Sequence, residues 1–241
     1  MFKKNTITFA PLNTTDMGPE RSAKFYPSWF KELPQQLGPR HHERSIKACV
    51  PFKEAMSAGY TIPLWCDVNV HVARANDDKL KASFEWNEKY SVVELGGGAP
   101  VLDFHPPQQL GGSACPYSIN HENGIPKLTS PWCITTPKGW SCLFKNYSGE
   151  IHSKFRILEG VVDTDKYYGN VNFPFIWTGE KEGTFEISRG FPLIQVIPFK
   201  REELKLQVER LDMDKRLLVQ NKLTSVLRDG YKRFFWHKGK G

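Results

Sequence analysis

No window of this sequence approaches the roughly 18 uninterrupted apolar residues that a membrane-spanning helix requires, and the opening Met1-Phe-Lys-Lys-Asn-Thr has no apolar h-region behind it. The expectation is a cytosolic protein, or one packaged from the cytosol. Cysteine is scarce and odd in number: Cys49, Cys66, Cys115, Cys133 and Cys142 contain no C-x-x-C pair. Neither a disulfide framework nor a zinc ribbon is thereby indicated, and buried free thiols are expected. His41-His42, His71, His105, His121 and His152 are scattered, with no H-x-D or H-x-x-x-H spacing, so no metal site is indicated and a cupin-like metal oxygenase is only a minor reading. Gly96-Gly97-Gly98 lacks the following G-K-[ST] and the helix of a phosphate loop, and reads as a flexible turn.

Long helix-forming runs are few as well, whereas 16 Phe, 8 Tyr, 7 Trp and 17 Pro are spread over 241 residues. That balance favours strands joined by structured loops. A composition of 39% hydrophobic and 24% charged residues suits one globular domain with a sizeable core. The net charge of +7 is partly concentrated in Arg228, Lys232, Arg233, Lys238 and Lys240, a pattern that a solvated basic tail explains. Nonspecific attraction to phosphates remains open. No recognition helix, zinc finger or aromatic RNP-type signature converts that charge into nucleic-acid readout.

Along the chain, residues 1–45 are irregular, with five prolines around the aromatic patch Phe25-Tyr26-Pro27-Ser28-Trp29-Phe30. Such a patch is expected either to wrap a core or neighbouring subunit or to pack locally. Residues 46–211 are expected to form a β core. Its first strand signals are Ala48-Cys-Val-Pro-Phe, Gly59-Tyr-Thr-Ile-Pro-Leu-Trp and the alternating Val68-Asn-Val-His-Val. Residues 73–130, rich in charge, glycine and proline, read as a long insertion with a few strands. Strand and turn signals then alternate from Trp132 to Phe199 in the rhythm of a sandwich or barrel. Leu204, Leu206 and Val208 alternate as one more strand. Asp212 is placed to cap a helix from Met213 to about Arg228 within a C-terminal segment, 212–241, that ends in a basic aromatic tail.

Four segments occur in a fixed order: Thr136-Pro-Lys-Gly-Trp, then Asn146-Tyr-Ser-Gly, then Gly160-Val-Val-Asp-Thr-Asp-Lys-Tyr-Tyr-Gly-Asn, then Arg189-Gly-Phe-Pro-Leu-Ile-Gln-Val-Ile. The set resembles the trimeric dUTPase and dCTP deaminase superfamily, in which Pro-x-Gly, Ser-Gly, a G-[VI]-[VI]-D-x-D-Y-x-G hairpin and a [KR]-G-x-x-I-x-Q-[LV]-I strand follow one another. Ser57-Ala-Gly-Tyr-Thr is similar to the family's opening S-A-G-Y-D segment, with Thr61 in place of its aspartate. The resemblance covers roughly a third of the chain. It implies a mainly β, dUTPase-like β-clip barrel or sandwich, here with a long insertion and a C-terminal helix, whose sites form between subunits of a homotrimer.

The same resemblance implies roles for individual residues. Asp163 would activate the attacking water, for which it must stay ionised and within hydrogen-bond reach. Ser148, Gly149, Asp165 and Gln195 would contact nucleotide, and Tyr167 or Tyr168 would pack on the deoxyribose, with Lys166 blurring the register. Magnesium would be the cofactor of an active member. The departures are as specific as the matches. Tyr147 stands where the family has a phosphate-binding arginine, Thr61 replaces an aspartate, and a helix with Phe234-Phe-Trp-His takes the place of a glycine-rich arm. Asp163 and Asp165 could equally cap a tight hairpin, Ser148-Gly149 reads as a turn, and Gln195 could satisfy a neighbouring backbone group. Two functions therefore compete. One is a non-catalytic or repurposed dUTPase-like oligomer; the other is a Mg-dependent dUTP or dCTP diphosphohydrolase or nucleotide sensor, with Arg74, Lys79 or Lys145 replacing the missing arginines. Tyr26-Pro-Ser-Trp-Phe, Ser130-Pro-Trp and Ile197-Pro-Phe-Lys-Arg are similar to uncharacterised tailed-phage proteins, which implies a virion or phage accessory role with a partner on the C-terminal helix.

Overall fold

The computed structural model describes residues 5–12, 17–40, 42–87, 92–94, 97–106, 108, 124–150 and 153–237. The calls on His41, Gly96, Cys115, His121, His152, Lys238 and Lys240 lie outside the described residues. The chain divides into two compact units, one comprising 1–20 and 59–201 and the other 21–58 and 202–241.

The first unit carries β1 (Thr8–Pro11), β3 (Tyr60–Pro63), β4 (Val68–Arg74), β5 (Leu80–Trp86), β6 (Val92–Glu94), β7 (Gly97–Ala99), β8 (Leu102–His105) and β9 (Ile125–Leu128). It continues with β10 (Trp132–Thr135), β11 (Trp140–Asn146), β12 (Phe155–Ile157), β13 (Gly160–Val162), β14 (Phe173–Trp177), β15 (Gly183–Ile187) and β16 (Pro192–Lys200); the two-residue β2 (Glu20–Arg21) marks the junction between the units. The strands order as β13-β11-β16-β3, as β12-β14-β9-β8 and as β15-β4-β5, with the pairs β1-β10 and β6-β7. Every one of these pairings is antiparallel.

Side-chain alternation explains these sheets. Val68, Val70 and Val72 of β4 are buried while Asn69 and His71 face outward. In β16, Leu193 through Val196 are all buried, as suits a strand flanked by β11 and β3. The core is aromatic: Phe155 stacks on Phe175 at 4.1 Å, and Phe84 meets Phe175 edge-on at 5.0 Å. Cys66, Cys133 and Cys142 are buried free thiols, and Cys49 is free and exposed. Burial pushes the Cys66 thiol up to about 12, which keeps it protonated and inert. Gly97 and Gly98 lie in β7, paired with β6, and not in the expected turn; Gly96 lies outside the described residues.

The second unit is largely helical, with α1 (Ser28–Glu32), α2 (Val50–Ser57), α3 (Met213–Thr224) and α4 (Gly230–Phe234). The aromatic patch packs locally: Phe30 is buried, with Tyr26 at 5.2 Å and Phe52 at 6.1 Å between ring centres. The strand expected at Ala48–Phe52 is instead the entry to α2, because Pro51 sits in the first turn, where its fixed φ suits a helix and its missing N–H has no role. Asp212 caps α3 as predicted, accepting from the Lys215 N–H at 3.0 Å, but the helix ends at Thr224. Leu204, Leu206 and Val208 do not form a strand: residues 202–211 carry no ladder among the described residues. No helix among the described residues is long and apolar enough to cross a membrane.

Candidate functional site

The predicted site residues fall into two clusters at opposite ends of the β11–β16 pair. Register places Ser141 opposite Phe199 at one end and Lys145 opposite Gln195 at the other. Four residues of strand, about 13 Å, separate them.

At the first end, β13 pairs with β11 and then turns through Asp163, Thr164 and Asp165. The turn is pinned from inside. Tyr167 N–H donates to the Asp163 carbonyl at 2.9 Å, and the Thr136 and Thr164 hydroxyls share a buried hydrogen bond of 2.7 Å. Gly139, at φ +86° on the facing turn, donates its N–H to Asp165 Oδ2 at 2.7 Å. Arg201, just beyond β16, engages both oxygens of Asp165 and one oxygen, Oδ1, of the half-exposed Asp163. Its guanidinium grips Asp165 in a two-pronged pair, with Nη1 to Oδ1 at 2.8 Å and Nη2 to Oδ2. Nη1 also lies 2.9 Å from Asp163 Oδ1 and donates to Ser141 Oγ at 3.0 Å. Ser141 Oγ donates in turn to Asp163 Oδ1 at 2.7 Å.

These contacts set the charges. The guanidinium and the Gly139 N–H hold Asp165 well below the usual carboxylate range, at about 2, and its side chain is only 2% exposed. The Ser141 hydroxyl and then Arg201 lower Asp163. The same carboxylates raise Arg201 above its ordinary value. Asp163 is thus ionised, as a general base must be, but its Oδ1 points into a hydroxyl and a guanidinium. Tyr167 bends back over the turn, its hydroxyl donating to the Asn170 carbonyl at 3.2 Å, while Tyr168 projects outward.

At the second end, Ser148 and Gly149 form the turn that follows β11. Ser148 donates to Gln195 Oε1 from its hydroxyl at 3.1 Å and from its N–H at 3.4 Å. Gln195 is fully buried and sits opposite Thr61 of β3, which is buried too. Lys145 Nζ donates to Ser148 Oγ at 2.8 Å and to the Asn146 carbonyl at 2.9 Å. Burial lowers its pKa against the opposing field of Glu159. Tyr147, at the position of the family's arginine, is buried.

Of the residues named from the sequence, Asp163 and Asp165 meet in one cluster and Ser148 and Gln195 in the other, while the contacts of Arg201 and Ser141 were not anticipated. The one available signal was the Lys200-Arg201 pair ending a strand that register brings alongside the hairpin. Arg74 and Lys79 do not join either cluster: Arg74 pairs with Glu182 at 2.7 Å and with Asp78 at 3.2 Å, and Lys79 lies 3.6 Å from Asp77. Among the described residues no group of three or more His, Cys, Asp or Glu could hold a metal ion.

No protein-family model matches the chain, and no curated protein matches it. Solved structures do. A substituted form of the dUTPase from Staphylococcus bacteriophage 80alpha is 14% identical at a TM-score of 0.40, covering 87% of this chain and 99% of its own. Another substituted form of that enzyme, with dUpNHpp, is 13% identical at a TM-score of 0.39, covering 87% and 100%. A dUTPase from phage phi11 of S. aureus, described as coordinating a structural Mg(II) ion, is 19% identical at a TM-score of 0.28, covering 35% of this chain and 71% of its own. These dUTPase structures are what this mainly antiparallel β chain is similar to.

Proposed function

We propose that this chain is a dUTPase-like protein whose hydrolytic site has become a set of structural joints, and that it serves as a homo-oligomeric phage accessory or virion component. The observation that carries the reading is Arg201, which occupies Asp163 and Asp165 together. A carboxylate that accepts from a guanidinium and a serine hydroxyl is poorly placed to orient a water. No preorganised arginine follows Asn146, and loss of one charge contact at a transferring phosphoryl group costs about 3 kcal/mol of barrier. A magnesium ion does not fit this set. Mg²⁺ requires well-placed oxygen donors, whereas both hairpin carboxylates are held by Arg201 and Thr61 lies buried between strands.

The deciding measurement is release of pyrophosphate from dUTP and dCTP with Mg²⁺ present. The expected result is none above buffer. Mg²⁺-dependent release that vanishes in Asp163→Asn would overturn the proposal and restore the hydrolase.

A second reading, nucleotide sensing without hydrolysis, has its own support in the cluster of Lys145, Ser148 and Gln195, where a half-buried ammonium lies beside a hydroxyl and an amide. Binding to the native state must raise apparent stability. A rise in Tm with one dNTP, lost in Lys145→Met, would favour that reading over a purely structural one. The exposed α3, with Leu217, Leu218 and Leu223, is proposed as the contact for a further protein of the particle.

A further inference from the structure

Within the first unit, β12 and β15 each end a ladder: β12 is outermost in β12-β14-β9-β8 and β15 in β15-β4-β5. Among the described strands neither edge pairs with the other, and residues of both border a cavity of about 330 Å³. Phe155 of β12, Trp177 at the end of β14 and Ile187 of β15 form its floor, and all three are buried. The floor is held from behind. Phe155 stacks on Phe175 at 4.1 Å, and Trp177 lies against Phe185 with 5.4 Å between ring centres. Close packing of this kind leaves the rings little freedom to collapse into the space.

Phe191 supplies the wall, and the turn before it fixes its place. Phe191 N–H donates to the Ser188 carbonyl at 3.1 Å, and Gly190, at φ +89°, donates its N–H to the Leu64 carbonyl at 2.8 Å. Leu64 N–H returns a bond of 2.8 Å to the Phe191 carbonyl. Two opposite charges then border the same cavity, Lys154 and Glu186, both exposed. The Ser188 hydroxyl donates to Glu186 Oε1 at 3.0 Å and so orients the carboxylate. Neither Lys154 nor Glu186 forms an ion pair among the described residues.

We propose that this cavity binds a free aromatic amino acid, its ring on Phe155, Trp177 and Phe191, its ammonium at Glu186 and its carboxylate at Lys154. Aromatic walls favour a ring, which gains area burial and ring–ring contact together. The two rim charges select for a ligand that carries both signs, because a ligand with one charge satisfies one rim group and meets its own sign at the other. Size agrees: at the packing density of protein interiors, 330 Å³ of cavity takes a molecule of roughly 240 Å³, room for one aromatic amino acid and little more. The cavity shares no residue with either cluster of the β11–β16 pair, so the inference goes beyond the reading above and is independent of whether the hairpin hydrolyses nucleotide.

The test is titration calorimetry of the full chain with L-phenylalanine, phenethylamine, 3-phenylpropionate and L-alanine. L-Phenylalanine should bind about tenfold more tightly than either single-charge analogue, and L-alanine should give no heat. Glu186→Gln should weaken L-phenylalanine and phenethylamine about tenfold and leave 3-phenylpropionate unweakened. Lys154→Met should do the reverse, weakening L-phenylalanine and 3-phenylpropionate but not phenethylamine. Both altered side chains are exposed, so far-UV spectra should stay unchanged. In the wild type, saturating L-phenylalanine should also move the amide resonances of Ile187 and Ser188. Absence of both heat and resonance shifts at millimolar L-phenylalanine would overturn the site. So would a single-charge analogue that binds as tightly as L-phenylalanine, or an affinity for L-phenylalanine that neither variant alters.

Discussion

At the scale of single residues, the Arg201 clasp has a measurable pH signature. Asp165 is lowered from 3.8 to about 2, so its contribution to stability is fully present above pH 3.8 and is lost as pH falls toward 2. Arg201→Met should lower Tm at neutral pH, and the gap from wild type should close over that acid window. Arg74→Met, which removes a half-exposed surface pair, should shift Tm far less. A Tm gap that stayed constant from pH 5 to pH 2 would refute the clasp. Two glycines separate strain from crowding. At Gly139, φ is +86° and an added Cβ would meet nothing within 4 Å, so Gly139→Ala should cost only about 1 kcal/mol in urea unfolding. At Gly59, φ is +65° and an added Cβ would fall 2.1 Å from the Val196 carbonyl oxygen, so Gly59→Ala should cost about 3 kcal/mol or more.

At the scale of elements, legibility followed locality. The hairpin around Gly160-Val-Val-Asp-Thr-Asp and the strand through Gln195 were readable because each carries its pattern within ten residues, and the Asp212 cap because its partner, the Lys215 N–H, is three residues away. Arg201 was not readable, since its partner Asp165 lies 36 residues off and only the β11–β16 register brings them together. At Ala48–Phe52 a short apolar run fitted strand and helix equally, and Pro51 decided for helix. Leu204, Leu206 and Val208 have the alternation of a strand, yet a ladder needs a second strand and none pairs with them among the described residues. Within the core, Phe175 is fully buried between Phe155 and Phe84. Phe175→Ala should therefore cost about 3–5 kcal/mol by chemical denaturation.

At the scale of the whole molecule, burial is uneven. Among the described hydrophobic side chains of the second unit only Phe30 and Met56 are buried, while the first unit holds the continuous aromatic core. Local stability follows buried contacts, so amides of α3 should exchange well before those of β11, and equal protection of the two would contradict this division. The clasp also bears on how such a sequence can change over generations. Asp165 is almost wholly enclosed and Arg201 is its cation, so replacing Arg201 alone strands the carboxylate, and replacing Asp165 alone leaves the guanidinium only the half-exposed Asp163. Neighbouring sequences in the lineage are then expected to keep both or to have exchanged both. The pair acts as a ratchet: a free carboxylate at this turn can return only through two changes made together, or through a less stable ancestor in between.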